Sequence, residues 1–462
     1  MKRFFYVFTM CVSLLAISGA CSDDDQDENL LAPANAVANL TFTDADTDAQ
    51  KIGGTLSWQL PSQENNIDGY VIYLSESNTS KGVKLGEVTK GTTSFTVPTG
   101  TQFNNYLLVV ARNTSGESTN IASVAVTDLA EDVPPQKEPQ TLGAFILNRG
   151  AYKANNASVS FYNLSEQVMI SRVYQSTNQK GLGDSAEQAL IYGSKIYITV
   201  TNSNRVTVID ETGAELDSIV PVINGEPQHP RCLAAWNGKV YVSYYYGHSV
   251  AVVDTASLKV EKTVAVGRYP EALAVAGGKL YVANSGGLDY PNYGSSVSVI
   301  DPNTFTVEKE IDVALNPTRL AVDSQGDVYV ISMGNYGDVP NTLQRIDGAT
   351  GQVTGMGRGS IFALVNDKLY VIYAQWGDPT VSYRKYDALT ETVESENFIT
   401  DGTTFNSISA LNIDPIGGDI YIADAEDFVS SGTLYIFSPE GKLKTSEDTG
   451  GPDPSAILFL IR

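Results

Sequence analysis

The chain has 462 residues, 53 of them acidic against 30 basic, and a formal net charge of −23. This negative excess excludes the basic footprint that nucleic-acid binding requires, and it disfavours electrostatic docking onto anionic lipid. The length allows two or three domains. Of the three cysteines, Cys11 and Cys21 lie near the N-terminus, so no disulfide framework is predicted and Cys232 is expected to be a small buried apolar side chain.

Residues 1–20 have the form of a lipoprotein signal peptide. Lys2 and Arg3 precede an apolar run over residues 4–17 that is too short to span a membrane. The run leads into Ser18-Gly19-Ala20-Cys21, which resembles a lipobox. Cys21 is therefore predicted to be lipidated and to become the new N-terminus. The alternative is an ordinary signal peptide followed by a chance cysteine.

Residues 21–33 are predicted to be an acidic tether. The run Ser22-Asp23-Asp24-Asp25-Gln26-Asp27-Glu28 carries too much charge to pack into a core. It resembles the export signal that sends lipoproteins of gut anaerobes to the outer face of the outer membrane. We therefore expect an outer-membrane location facing the cell exterior, with a plain spacer facing the periplasm as the alternative.

Residues 34–129 are predicted to form a small β-sandwich. Apolar and polar residues alternate in short runs, such as Gly69-Tyr70-Val71-Ile72-Tyr73-Leu74, between turn-forming clusters. Trp58, Tyr70 and Tyr106 stand where fibronectin type III domains keep their core aromatic residues, so this segment resembles that family. Residues 130–140 are proline-rich and charged, which predicts a semi-rigid linker.

Residues 141–462 repeat a hydrophobic strand of the form Gly-Lys-Val-Tyr-Val. Its six copies occupy residues 194–198, 238–242, 278–282, 326–330, 367–371 and 418–422. A second strand in each unit often ends in an aspartate, which we expect to cap a turn, while the repeated tyrosines are expected in the core. Four short strands at a period of about 40 to 50 residues are typical of a propeller blade.

A seventh unit is split between the two ends of this region. Residues 144–147 and 157–162 supply its outer strands, and residues 455–460 supply its inner strand. Sharing one blade between the termini closes the ring and leaves no long free edge. The predicted fold class is all-β, with a seven-bladed β-propeller preceded by a fibronectin III-like β-sandwich. An open solenoid is disfavoured because its last strand would lack a partner.

The sequence has no signature of an enzyme. Its two histidines are His229 and His248, and there is no nucleophile elbow, zinc-type cluster, Walker loop or dinucleotide fingerprint. We expect a binding protein without catalytic residues, bound metal or cofactor.

Aromatic residues cluster on the loops of one propeller face. The loops between the second and third strands share that face with the loops that join successive units. Rings on loops have no core to fill, and large amphipathic rings on a concave face are typical of a ligand site. The alternative is that individual rings pack the loops together. The candidate ligand-binding residues are Tyr152, Tyr245, Tyr246, His248, Tyr269, Tyr290, Asn292, Tyr293, Tyr336, Trp376 and Phe428.

The repeats resemble the YVTN-type propellers. Three segments in particular resemble the surface cobalamin-capture lipoproteins of gut anaerobes (BtuG type): Asn148-Arg149-Gly150, Gly181-Leu182-Gly183-Asp184 and Gly334-Asn335-Tyr336-Gly337-Asp338. The resemblance implies capture of cobalamin or a related corrinoid as a transported ligand, with handover to a TonB-dependent outer-membrane transporter. It implies membrane contact through the lipid anchor alone. A glycan-binding propeller and a protein-adhesion propeller remain as alternatives.

Replacing Cys21 with alanine is expected to abolish membrane anchoring, because the acyl chains that hold the protein in the bilayer are attached at this position. Detergent phase partitioning of the wild type and the variant measures the change. A C21A variant that stays in the detergent phase contradicts the lipid-anchor prediction.

Overall fold

The computed structural model describes residues 31–129 and 138–462. The chain divides into two compact units, Met1–Lys137 and Glu138–Arg462. The predicted signal peptide, Cys21, most of the tether and residues 130–137 of the linker lie outside the described residues. Within the described part of the chain, no helix has the length and apolar character needed to cross a membrane.

The first unit is a two-sheet β-sandwich. Its strands are β1 (Ala38–Phe42), β2 (Lys51–Gln59), β3 (Gly69–Ser75), β4 (Val83–Thr89), β5 (Ser94–Gln102), β6 (Tyr106–Asn113) and β7 (Gly116–Ala125). The two sheets have the strand orders β1-β2-β5 and β4-β3-β6-β7, and both contribute to one core.

Two of the three predicted core aromatic residues lie in that core. Trp58 and Tyr70 are buried, with their ring centroids 6.0 Å apart. The prediction for Tyr106 is wrong, since its side chain is half-buried and lies outside the cluster. Side chains alternate between the two faces of a strand, so Leu107 and Val109 point into the core and Tyr106 points to the other face.

The second unit contains seven four-stranded antiparallel sheets. It begins with β8 (Thr141–Asn148), β9 (Ser158–Asn163), β10 (Val168–Ile170) and α1 (Val173–Asn178). Next come β11 (Ala186–Tyr192), β12 (Lys195–Val200), β13 (Arg205–Ile209), β14 (Glu215–Ile219) and the hairpin of β15 (Val222–Ile223) and β16 (Glu226–Pro227).

The middle of the unit repeats the four-strand pattern without added elements. The strands are β17 (Pro230–Trp236), β18 (Lys239–Tyr244), β19 (Ser249–Asp254), β20 (Val260–Ala265), β21 (Pro270–Ala276), β22 (Lys279–Asn284), β23 (Ser296–Asp301), β24 (Thr306–Asp312), β25 (Pro317–Val322), β26 (Val328–Ser332), β27 (Thr342–Ile346) and β28 (Val353–Arg358). The remainder are β29 (Ile361–Val365), β30 (Lys368–Ala374), β31 (Val381–Asp387), β32 (Thr392–Ser395), β33 (Ile408–Ile413), β34 (Ile420–Asp424), β35 (Ser431–Phe437), β36 (Leu443–Pro452) and β37 (Pro454–Ile461).

The sheets follow one another in a closed order. The innermost strands β11, β17, β21, β25, β29 and β33 contact each other in turn, and β37 contacts both β33 and β11. β37 pairs with β8 in the sheet of order β10-β9-β8-β37, with Ile457 opposite Ile146. The split sheet predicted from the sequence is confirmed, and the architecture is that of a β-propeller.

The repeated tyrosines and aspartates have the structural roles predicted for them. Tyr197, Tyr329 and Tyr421, for example, are fully buried. The Oδ1 atom of Asp254 accepts the backbone N–H of Ser257 and so caps the turn. Its Oδ2 atom accepts the ammonium of Lys239 on the neighbouring strand at 2.8 Å. The same residue therefore caps a turn and links two strands.

Ile457 provides a test of ring closure. Its side chain is buried in the core shared with the neighbouring sheet, whereas Ile461 at the end of the same strand is 38% exposed. We expect Ile457→Ala to lower the free energy of unfolding by about 2 to 5 kcal/mol, and Ile461→Ala to lower it by less than about 1 kcal/mol. Denaturant titration measures both changes, and deletion of residues 454–462 should be more damaging than either. Equal effects of the two substitutions would contradict the closure role of β37.

Candidate functional site

All eleven candidate residues lie on loops at one end of the propeller. Antiparallel strands alternate in direction, so the loops after each second strand share an end with the loops that join successive sheets. The first group comprises residues 149–157, 201–204, 245–248, 285–295, 333–341, 375–380 and 425–430. The second includes residues 266–269, which carry Tyr269. We call this end the loop face.

A cavity of about 400 Å³ opens on the loop face. Four candidate residues from three separate loops line it, namely Tyr152, Tyr245, Tyr246 and Phe428. The side chains of Tyr152, Tyr246 and Phe428 are 75%, 49% and 47% exposed, which leaves much of their ring surface free for a ligand. Tyr245 is buried, so it forms part of the wall rather than an open platform.

Tyr245 is the centre of an aromatic cluster. Its ring centroid lies 5.6 Å from that of Tyr246 and 5.1 Å from that of Tyr269. The guanidinium of Arg231 lies over its ring at 5.0 Å from the centroid. Tyr246 also contacts His229, with their ring centroids 4.5 Å apart. These contacts hold the exposed ring of Tyr246 in place; His229 was not among the predicted site residues.

His248 and Tyr269 connect two loops through a hydrogen bond. The backbone N–H of Tyr269 donates to Nδ1 of His248 at 3.0 Å, and the two rings meet edge to face. Burial lowers the pKa of His248, and the positive charge of Arg268 lowers it further. Tyr269 has a φ of 47°, an uncommon conformation for a bulky residue. Such strain persists where the surrounding structure enforces it, and it is frequent at functional sites.

The other seven candidates, His248 and Tyr269 included, do not line the cavity. Tyr293 packs between Tyr290 and Tyr336, with centroid distances of 6.1 and 6.0 Å, and forms a second aromatic cluster. Asn292 is exposed, and its backbone carbonyl accepts a hydrogen bond from Arg268. Trp376 is 91% exposed. Ligand contact by these residues therefore stays a prediction from the sequence.

β-bulges place polar side chains at the axis of the propeller. In six of the seven innermost strands the pairing register shifts just after the first residue. A bulge bends a strand and re-aims a side chain. The residues at these bulges are Glu187, Arg231, Glu271, Thr318, Ser409 and Ser455.

A network of ion pairs forms the floor of the loop-face cavity. Arg149 binds Glu187 at 2.9 Å and Asp453 at 2.7 Å. Arg231 binds Glu187 and also binds Glu271 at 2.8 Å. Burial alone would raise the pKa of Glu187, but the two arginines outweigh it and hold that pKa below its usual range. Glu187 is therefore ionised at neutral pH.

Sequence reasoning missed this network. The sequence feature that could have revealed it is a charged residue directly after the proline that begins a hydrophobic strand, as in Pro230-Arg231 and Pro270-Glu271. The prediction that Cys232 is a buried apolar side chain is also wrong, because Cys232 is half-buried and lines a second cavity, on the axis of the propeller. The bulge that redirects Arg231 also includes Cys232.

The arrangement offers binding groups of two kinds. Aromatic rings provide apolar faces at the cavity walls, and the charged and amide groups of the floor and rim provide hydrogen bonds. Within residues 31–129 and 138–462, no three His, Cys, Asp or Glu side chains group in a way that could hold a metal ion.

The propeller matches a known protein family. Residues 142–430, more than half of the chain, match the family described as "Domain of unknown function (DUF5074)". The chain belongs to this family. No curated protein matches the chain.

Solved structures are similar to this chain at low sequence identity. A quinonprotein alcohol dehydrogenase-like protein from Bacteroides thetaiotaomicron VPI-5482 is 15% identical, with a TM-score of 0.51 over 92% of this chain and 99% of that one. A protein from Lactobacillus plantarum is also 15% identical, with a TM-score of 0.49 over 69% of this chain and 99% of that one. The first likeness supports the propeller fold.

We expect the stability of the loop face to depend on pH, because His248 accepts a hydrogen bond there. Folding lowers the pKa of this histidine, so its contribution to stability is complete above its ordinary value of 6.5 and is lost as the pH falls through the folded value. Protonation removes the acceptor that Tyr269 N–H uses.

NMR titration of the histidine ring resonances measures this pKa, and the chain has two histidines to distinguish. The resonance that disappears in His248→Asn should titrate below pH 6.5. A midpoint at or above 6.5 contradicts the buried acceptor role.

Proposed function

We propose that the protein is an outer-surface lipoprotein that captures a small-molecule ligand on its loop face and passes it to a TonB-dependent outer-membrane transporter. The ligand proposed is cobalamin or a related corrinoid. One observation carries this proposal: exposed rings from three separate loops, Tyr152, Tyr246 and Phe428, converge on one open cavity. The exposed surface of these rings is free to meet a ligand.

The walls of the cavity suit a ligand with broad apolar faces. Each large aromatic ring that a ligand covers contributes about 1 to 3 kcal/mol through buried area and stacking. Several rings acting together support tight capture after the costs of association are subtracted. A flat macrocycle lies across such a mouth, which makes the exposed rings of Tyr290 and Tyr336 further candidate contacts.

The rim and floor suit a ligand with a polar fringe. Arg149, Asn202 and Glu187 line the same cavity as the rings. Their amide, guanidinium and carboxylate groups can exchange hydrogen bonds with the amides that surround a corrinoid. A small number of placed polar groups among aromatic walls is the usual composition of a small-molecule site.

The number of blades and the class of the first unit are also part of the proposal. We infer that the seven four-stranded sheets are the blades of a closed seven-bladed propeller, which the contacts of β37 with β11 and β33 support. We also infer that the first unit is a fibronectin III-like domain, a view supported by its strand orders β1-β2-β5 and β4-β3-β6-β7. Cys21 is the proposed site of lipid attachment.

A glycan is the second candidate ligand. Trp376, Tyr290 and Tyr336 are strongly exposed rings outside the cavity, and sugar rings stack on such platforms. The two candidates differ in which rings matter, because a glycan on these platforms does not need the cavity residues.

Calorimetric titration with cobalamin tests the proposal. Tyr246→Ala and Phe428→Ala are each expected to weaken binding at least tenfold, about 1.4 kcal/mol, because each removes an exposed ring from the cavity wall. Lys259→Ala is the control, since Lys259 lies between β19 and β20 at the opposite end of the propeller.

Folded protein that gives no heat with micromolar cobalamin would refute the corrinoid proposal. Heat in a parallel titration with an oligosaccharide that is lost in Trp376→Ala but retained in Tyr246→Ala and Phe428→Ala would favour the glycan.

A further inference from the structure

The axis of the propeller contains a second cavity, of about 460 Å³. Six residues that follow or belong to the bulges of the innermost strands line it, namely Gln188, Cys232, Ala272, Arg319, Ala410 and Ala456. Most of these side chains are small or apolar. Among the described residues that line this channel, Glu187 and Arg319 carry the charges, and Glu187 is neutralised by the ion pairs of the floor.

Arg319 differs from the other two arginines at the axis. Arg149 and Arg231 each bind two carboxylates. Within residues 138–462, by contrast, no carboxylate lies within ion-pair distance of the Arg319 guanidinium, and no side chain or carbonyl accepts a hydrogen bond from it. Burial lowers the pKa of Arg319 and repulsion from Arg149 lowers it further, against the smaller opposing effects of the more distant Glu271 and Glu187. The cation is partly withdrawn from water without a protein partner.

A second polar group beside Arg319 also lacks a partner. The Oγ1 atom of Thr318 is buried and makes no hydrogen bond within the described residues, although Thr318 lines the same cavity. Polar atoms in protein interiors are nearly always hydrogen-bonded, and an exception calls for a ligand or an ordered water. The guanidinium of Arg319 therefore presents unused donors to the cavity, and the hydroxyl of Thr318 is a neighbouring unpaired group that is shielded from water.

We propose that the axial channel binds a small oxyanion, a phosphate or a small carboxylate, through the guanidinium of Arg319 and the hydroxyl of Thr318. A guanidinium presents five N–H donors in a planar fork that matches two oxygens of such an anion. The hydroxyl of Thr318 supplies one further donor once its side chain rotates toward the anion. The cavity has room for the anion together with water. Glu187 lines both cavities, but Arg319 and Thr318 line the axial one alone, so the proposal does not depend on the function of the loop-face site.

Two features of the protein favour a local and specific site. The net charge of −23 repels anions in general, so retention of an anion requires direct contacts with a cation. Burial and the charge of Glu271 raise the pKa of the Cys232 thiol, which therefore stays neutral and adds no competing negative charge to the channel.

Titration of the protein with inorganic phosphate, and separately with acetate and succinate, tests the site in a buffer free of other oxyanions. Arg319→Gln is expected to weaken binding of the preferred anion at least tenfold, and Thr318→Val to weaken it severalfold. Arg384→Gln is the matched control, because Arg384 on β31 pairs with Glu396 at 2.9 Å away from the channel. Comparison of the three anions distinguishes phosphate from carboxylate as the ligand.

Equal affinities for the wild type and Arg319→Gln would overturn the proposal. If Arg319→Gln does not fold, crystals of the wild type soaked in selenate give an independent readout. An anomalous peak beside Arg319 supports the site, and its absence at saturating selenate overturns it. Cobalamin titration of Arg319→Gln should match the wild type, so failure of this site and failure of the loop-face proposal are separable.

Discussion

The pairing of β37 with β8 is the constraint on which the rest of the propeller depends. It joins residues from the two ends of the unit, with Ile457 opposite Ile146, and it gives β37 and the inner side of β8 a hydrogen-bonding partner. Without it, the innermost strands β11 and β33 would each lose a neighbour. Because the axis exists only when the ring is closed, both cavities depend on this single antiparallel pairing.

The bulges of the innermost strands connect the fold to the chemistry of the axis. A regular strand would alternate its side chains between the two faces of its sheet. The extra residue in six strands interrupts that alternation and carries a polar group each time. Glu187, Arg231 and Glu271 thereby meet in one network with Arg149. The network fixes the floor under the aromatic rings and leaves Arg319 as the unpaired cation of the channel.

Some aromatic loop residues pack against the protein itself, and others keep their rings exposed to a ligand. Tyr245 is buried among Tyr246, Tyr269 and Arg231, so much of its ring surface is already used by the protein. The rings of Tyr246 and Phe428 keep large exposed areas beside the same cavity. This division explains how one loop cluster can be rigid and still present free apolar surface to a ligand.

The sequence by itself determined the strands, their repeat and the positions of the loops. Alternating apolar residues, buried tyrosines such as Tyr197 and turn-capping aspartates such as Asp254 are local signals, because each depends on neighbours within one sheet. The same regularity was sufficient to predict the split sheet and to place all eleven candidate residues on one face. The six-residue helix α1 and the two-residue strands of the β15–β16 hairpin carry too little pattern to be predicted.

The tertiary structure alone decided which of those loop residues meet. Distances between loops of different sheets depend on the curvature of the closed ring, to which no local pattern refers. The tertiary structure therefore brings Tyr152, Tyr246 and Phe428 around one cavity, whereas Trp376 lies outside it. The ion pairs of the floor could not be predicted from the sequence for the same reason. A charged residue at the start of a hydrophobic strand finds its partner only when neighbouring sheets bring their bulges together at the axis.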